Sequence, residues 1–136
     1  MTSTSPGTSV VADTMAVVLW LEKRRLPAQT RAIFQQASVG QVTIYIPGMV
    51  FAEMLYLHDR GRISASITDA IDLTTRRQGF REMPLSGKVA LAAVRIDDIP
   101  ELHDRLIAAS GVSIGAPVVT NDPLMHASRW VTSFWL

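Results

Sequence analysis

The segment Gly115-Ala116-Pro117-Val118-Val119-Thr120-Asn121-Asp122 limits what this chain can fold into more than any other. It reads as a short buried strand, Pro117–Val119, that ends in a carboxylate. Gly and Pro on both sides of the run stop it there. A second copy of the arrangement lies near the start, where Ser9-Val10-Val11-Ala12 is followed by Asp13. An Asp just past a buried strand is not needed for folding. In open α/β sheets, ligands bind in the crevice outside the carboxyl ends of the strands. If the two strands are parallel neighbours, Asp13 and Asp122 share that crevice. Two carboxylates so placed repel each other unless a cation or a shared proton lies between them. The expectation is a site for divalent metal ions.

The rest of the chain alternates strands with helices. Strands are expected at Ser9–Ala12, Val42–Ile46, Phe80–Leu85, Ala116–Val119 and Trp130–Leu136. Thr14 is expected to cap a mostly buried helix over MAVVLWLEK. Further helices follow over Ala28–Ser38, with Ile33 and Phe34 inward; Pro47–Asp59; and Ser64–Arg77, with Ile67, Ile71 and Leu73 as its stripe. Two more are expected at Gly87–Arg95, capped by Ser86, and from Ile99-Pro100 to just before Gly111, with a helical turn from Asp122 to about Ser128. This order predicts an α/β fold, a three-layer α/β/α sandwich on a mainly parallel central sheet. No repeat or linker divides it, so residues 1–136 read as a single domain with residues 1–8 frayed.

Thirteen Lys and Arg stand against twelve Asp and Glu, so no global charge announces a nucleic-acid partner. Any such surface has to come from local clusters: Lys23-Arg24-Arg25, Arg60 with Arg62, and Arg76-Arg77 with Arg81. The first cluster also suits a helix C-terminus, where the dipole favours cations. Cysteine is absent, which excludes disulfides and thiolate metal sites. The start MTSTSPGTS has no basic region of a secretory signal, and the apolar run Met15–Leu21 is too short to span a bilayer. A cytoplasmic protein without membrane contact is expected.

Two more acids stand out of pattern. Glu53 has Val50 three residues back and Tyr56 and Leu57 ahead, all on or beside one helical face. A carboxylate there needs an Arg partner, a tilt to the helix edge, or a metal. Asp104 lies off the stripe Leu102, Leu106 and Ala109, beside Ile107 and Ala108; a solvated Asp and a site Asp both fit. Asp97, Asp98 and Glu101 read as structural acids at a helix start. His58, His103 and His126 have no zinc-site spacing, and His103 draws notice only beside Asp104. No phosphate-binding glycine loop and no nucleophile elbow occur.

The four acids in this order resemble the PIN domain family, and within it the small VapC-like ribonuclease toxins. The likeness is carried by Val10-Val11-Ala12-Asp13-Thr14, by Ile46-Pro47-Gly48-Met49-Val50-Phe51-Ala52-Glu53-Met54, by His103–Ala109 and by Val118–Asp122. It implies that Asp13, Glu53, Asp104 and Asp122 form an acidic metal-binding and catalytic quartet, with Thr120 as a polar helper. It also implies partners: a second copy of the chain in a homodimer, and a small antitoxin that blocks the site. Two departures stand out. Where the family often has Ser or Asn two residues after the first Asp, this chain has Met15, and the usual Asp-Pro-Phe lead-in before Asp104 is missing.

Carboxylates without a His or Cys cluster suit hard cations, Mg²⁺ or Mn²⁺. The chemistry expected is in-line attack of an activated water on a phosphodiester. The toxin would cut RNA (tRNA, rRNA or mRNA), with basic residues such as Arg24 and Arg25 binding the strand. Two other readings remain: a PIN-like protein-binding module without catalysis, and, further off, a phospho-acceptor receiver-like domain. The last expects a Lys after a late strand, and the only lysines are Lys23 and Lys88.

Overall fold

The computed structural model describes residues 8–136. Residues 1–7, most of the end expected to fray, lie outside the described residues; Thr8 already accepts a hydrogen bond from the Thr43 amide. The chain runs β1 (Ser9–Ala12), α1 (Thr14–Leu21), α2 (Ala28–Ser38), β2 (Thr43–Pro47), α3 (Gly48–Asp59), α4 (Ile67–Arg76) and β3 (Phe80–Met83). It continues through α5 (Gly87–Ala93), α6 (Leu102–Ile114), β4 (Val118–Val119), α7 (Pro123–Ala127) and β5 (Ser133–Phe134). Every strand pair is parallel, and the sheet order is β3-β2-β1-β4-β5. The α/β sandwich with a parallel central sheet is therefore as expected.

Successive residues Val10, Val11 and Ala12 of β1 are all buried, as are Val118 and Val119 of β4. A strand buried at consecutive positions has both faces covered, which is how helical crossovers leave a parallel sheet. The β-branched and apolar content of these strands answers that demand. Trp20, Phe34 and Phe80 form an aromatic cluster beside the sheet, with ring centroids 5.3 to 6.5 Å apart. Among the described residues no helix is long and apolar enough to cross a membrane.

The order places a switch point at the centre. The chain builds β1, β2 and β3 outward on one side, then returns through α5 and α6 to lay β4 on the other side of β1. Crossovers on the two sides leave a crevice at the carboxyl ends of β1 and β4.

Several local boundaries differ from the sequence expectation. Asp13, not Thr14, caps α1: its side chain accepts from the Ala16 amide, and Thr14 is the first helical residue. Both residue types cap helices, and the one at the strand end takes the role. Helix α4 starts three residues later than expected, because Ser66 and Asp69 close a reciprocal capping box. Ile71 is exposed, since Ala70 and Leu73 form the buried stripe. Ile33 is only partly buried while Phe34 is fully buried. Helix α6 begins at Leu102, with Glu101 as its cap, and passes straight through Gly111 to end at Gly115. Leu102 is exposed, and the buried run of α6 is Leu106–Gly111. The expected strand Trp130–Leu136 shrinks to two paired residues. Its start is held away from the sheet: the Arg129 amide binds Asp98, and the Trp130 indole N–H binds Asp97.

Candidate active site

The carboxyl ends of β1 and β4 are pinned together. Ala12 pairs with Val119, and the Asp13 amide donates to the Val119 carbonyl at 3.1 Å. Asp13 and Thr120 thus leave the sheet side by side, and the Thr120 hydroxyl donates to Asp13 Oδ2 at 2.5 Å. The same hydroxyl accepts from the Asp122 amide at 3.0 Å, which fixes the turn into α7. Asp122 caps that helix, its Oδ1 accepting from the Leu124 amide at 2.9 Å, with Pro123 at the first position. Asp13 Oδ1 accepts from the Ala16 amide at 2.9 Å. Contrary to the expectation from sequence, both Asp residues therefore serve the fold: each spends one oxygen on capping a helix start and keeps capacity on the other (an ionised carboxylate offers about four acceptor sites).

Glu53 arrives from α3, which packs against both α1 and α6. Val50 and Met54, on either side of it, are fully buried, so the helix cannot roll Glu53 into solvent. Its Oε1 accepts a hydrogen bond from the Thr14 hydroxyl. Its Oε2 lies 3.7 Å from His103 Nδ1, which also lies 3.8 Å from Glu101 Oε2. No Arg pairs with Glu53 among the described residues; the side chain is one-quarter exposed and turned to the crevice. Asp104 enters from the first turn of α6, where its amide donates to Glu101 Oε1 at 2.9 Å. It sits in front of the buried positions Ile107 and Ala108 rather than on a solvated face.

The electrostatics tie the four acids together. Burial pushes the Asp13 carboxyl up to about 6 against the hydrogen bonds from Thr120 and Ala16, and the charges of Asp122 and Glu53 push it further. Burial also raises Asp104 to about 6, reinforced by Asp122, Glu101, Glu53 and Asp13. Asp13 thus feels Asp122 and Glu53, and Asp104 feels the other three crevice acids. Among the described residues, no group of three or more His, Asp or Glu side chains is placed to hold a metal ion. In kind the donor set fits a hard cation: it is mainly carboxylate oxygen, with His103 Nδ1 beside Glu53, and repulsion among carboxylates is what a divalent ion relieves.

A PIN domain family model matches residues 10–127, from β1 to the end of α7. The chain belongs to the PIN domain family. The match includes all four crevice acids. No curated protein matches the chain. Among solved structures, it is similar to a chain in the crystal structure of VapBC2 from Rickettsia felis bound to a DNA fragment from their promoter. That likeness has a TM-score of 0.68 at 18% identity and covers 94% of this chain and 99% of the other. A chain of DNA-bound VapBC from Salmonella typhimurium gives a TM-score of 0.67 at 15% identity, with 93% and 96% covered. These neighbours have the same PIN fold.

The basic triplet lies elsewhere in the PIN domain. Lys23, Arg24 and Arg25 follow the C-terminal end of α1, whose N-terminal end meets the acids, a helix length of roughly 12 Å away. There they line a cavity of about 680 Å³ together with Arg31 and Arg77 over a floor that includes Trp20. Glu22 explains part of the local shape: it accepts from the Ser64 and Ala65 amides and pairs with Arg24 at 3.1 Å. The crevice brings Asp13, Glu53, Asp104, Asp122 and Thr120 together, whereas Arg24 and Arg25 belong to the cavity at the other end of α1. Two crevice partners escaped the sequence. In the sequence Thr14 has the pattern of a cap, and His103 stands out only beside Asp104. The signal for Thr14 was the adjacent Asp, which takes the capping role and frees the hydroxyl for Glu53.

Proposed function

We propose that this PIN domain is a metal-dependent endoribonuclease and the toxin of a toxin–antitoxin pair. The observation that carries the reading is the convergence of Asp13, Glu53, Asp104 and Asp122 at the switch point, with Asp13 and Asp104 both raised to about 6, first by burial and then by neighbouring carboxylates. Such a cluster is unfavourable by itself and becomes favourable around a cation. Asp13, Glu53, Asp104 and Asp122 would hold Mg²⁺ or Mn²⁺. The bound ion would activate a water for in-line attack and offset charge on the phosphodiester.

The protein's own groups do the positioning. Thr120 holds Asp13 Oδ2 and the Asp122 amide in one geometry. Thr14 holds Glu53 from the start of α1. Without a cation the acid crevice repels a phosphate backbone, so the strand is retained by basic groups outside it. Arg24 and Arg25, in the cavity beyond α1, are our substrate-binding residues. The similarity to VapBC chains supports a cognate antitoxin as partner, and a homodimer and a cytoplasmic location belong to the same reading.

The test is cleavage of a total-RNA or tRNA pool by the purified chain with Mg²⁺ or Mn²⁺, with EDTA, and with Asp13→Asn. Cutting that needs the metal and falls at least about a hundred-fold in the variant is expected. Folded, antitoxin-free protein that cuts nothing under either metal would instead make this a protein-binding PIN module.

A further inference from the structure

Beside the acids lies a second cleft that the cleavage chemistry does not use. It has a volume of about 710 Å³ between α1, α3 and the start of α6. Thr14, Glu53 and His103 form its polar wall, toward the acid crevice, and the rest of its lining is apolar: Met15, Met49, Ala52 and Leu57, with the Tyr56 ring. No Lys or Arg lines it. Met15 is 41% exposed and Tyr56 is 53% exposed, so neither is part of the core. The Arg60 guanidinium lies 4.5 Å from the centre of the Tyr56 ring, which sets a cation beside the cleft but not in it.

We propose that this cleft takes an unstacked nucleobase of the single-stranded RNA that crosses the acids. The proposal rests on the ribonuclease reading above and names the group recognised next to the phosphodiester. A chain crossing the crevice must send a neighbouring nucleotide one way or the other, and on the Glu53 side it meets a cleft without Lys or Arg, where His103 Nδ1 already faces the Glu53 and Glu101 carboxylates at 3.7 and 3.8 Å. A phosphate meets the carboxylates that flank His103 there, whereas an uncharged planar base gains the apolar lining. Thioethers and an aromatic ring are suited to it: Met side chains adapt to ring edges and faces, and bases stack on aromatic side chains with little regard to sequence. Met15 and Tyr56 are the most exposed of the large apolar lining residues that a base would meet, and they set the strength of base capture.

The experiment compares binding of a fluorescent oligoadenylate with that of an abasic ribose-phosphate chain of equal length, using the whole protein in EDTA so that binding is read without turnover. The base-bearing chain is expected to bind about ten-fold tighter. Met15→Ser and Tyr56→Ala should each cut that preference several-fold. Leu55→Ala, on the same helix and outside the cleft, should leave it intact. Equal binding of both chains by the wild type would overturn the proposal, as would an unchanged preference in both variants. So would a drop from dimer to monomer in either variant, because the cleft would then be an interface between copies. A parallel cleavage assay with Mn²⁺ separates the two readings. A retained base preference without any cleavage supports the base cleft and removes the ribonuclease.

Discussion

Thr120 has no exposed surface, and its hydroxyl serves two partners at once, donating to Asp13 and accepting from the Asp122 amide. Valine has almost the same shape and can do neither. Thr120→Val should therefore cost about 1–3 kcal/mol, the usual penalty for leaving buried polar groups unpaired. It should also move the Asp13 carboxyl further up, because that hydrogen bond is the largest influence holding it down. Urea denaturation reads the first effect and a carboxyl NMR titration the second. A variant with wild-type stability and an unmoved Asp13 would mean that the hydroxyl is a bystander. Thr14 is the companion case: it is 7% exposed and tied to Glu53 rather than to its own helix start. Its neighbour Asp13 decides this, and nothing local to Thr14 announces a partner thirty-nine positions away.

Helix α6 shows where a residue's propensity and its packing disagree. Glycine in a helix interior is unfavourable by about 1 kcal/mol relative to alanine, which is why the sequence points to a stop before Gly111. The helix continues because the chain doubles back against that position. A Cβ on Gly111 would lie 2.7 Å from Val118 Cγ2 and 2.8 Å from the Ala116 carbonyl oxygen. The residue that does end the helix is Gly115, at φ 67°, a left-handed conformation that favours glycine. Gly111→Ala should destabilise the protein by about 1–3 kcal/mol despite its better helix propensity, because a backbone oxygen cannot step aside as a side-chain tip can. A calorimetric melting temperature at or above wild type would show that β4 yields without cost. The displacement would run straight into the acid crevice, since Val118 and Val119 carry Thr120 and Asp122.

Across the whole molecule, the raised acids link stability to pH and to metal. Asp13 binds its proton more tightly in the folded chain, at about 6, than in the unfolded chain, near 3.8. Stability from this group is fully present below the lower value and is lost as pH rises through the upper one. For Asp13 alone the swing is at most about 3 kcal/mol. Asp104 acts in the same direction with more solvent around it. Glu22, Asp98 and Glu101 act in the opposite direction: they are held low chiefly by backbone amides, and their contribution fades as pH falls through the ordinary carboxylate range. Metal-free protein should thus melt highest near pH 5 and lower at pH 8. Saturating Mg²⁺ or Mn²⁺ should recover the melting temperature most at pH 8, where the acids are charged. Differential scanning calorimetry in EDTA and in metal measures both arms. A metal-free melting temperature that rises steadily from pH 5 to pH 8 would contradict the shared charge of the crevice.

Buried strands, their terminal acids and the alternation of helices are written in local pattern. Val10–Asp13 and Val118–Asp122 each declare a strand and a carboxylate within a few residues, and the parallel sheet follows from the helices between them. Family resemblance adds Glu53, Asp104 and Thr120 from motifs just as short. What no local pattern contains is adjacency. β1 and β4 become neighbours only because the chain reverses direction across β1, and that choice depends on how α5 and α6 pack. The same dependence hides Thr14 behind a capping pattern and carries α6 through Gly111. It leaves the Lys23–Arg25 cluster a helix length from the acids that the sequence would have it serve. Those features depend on surfaces that meet only after the sheet has closed around β1.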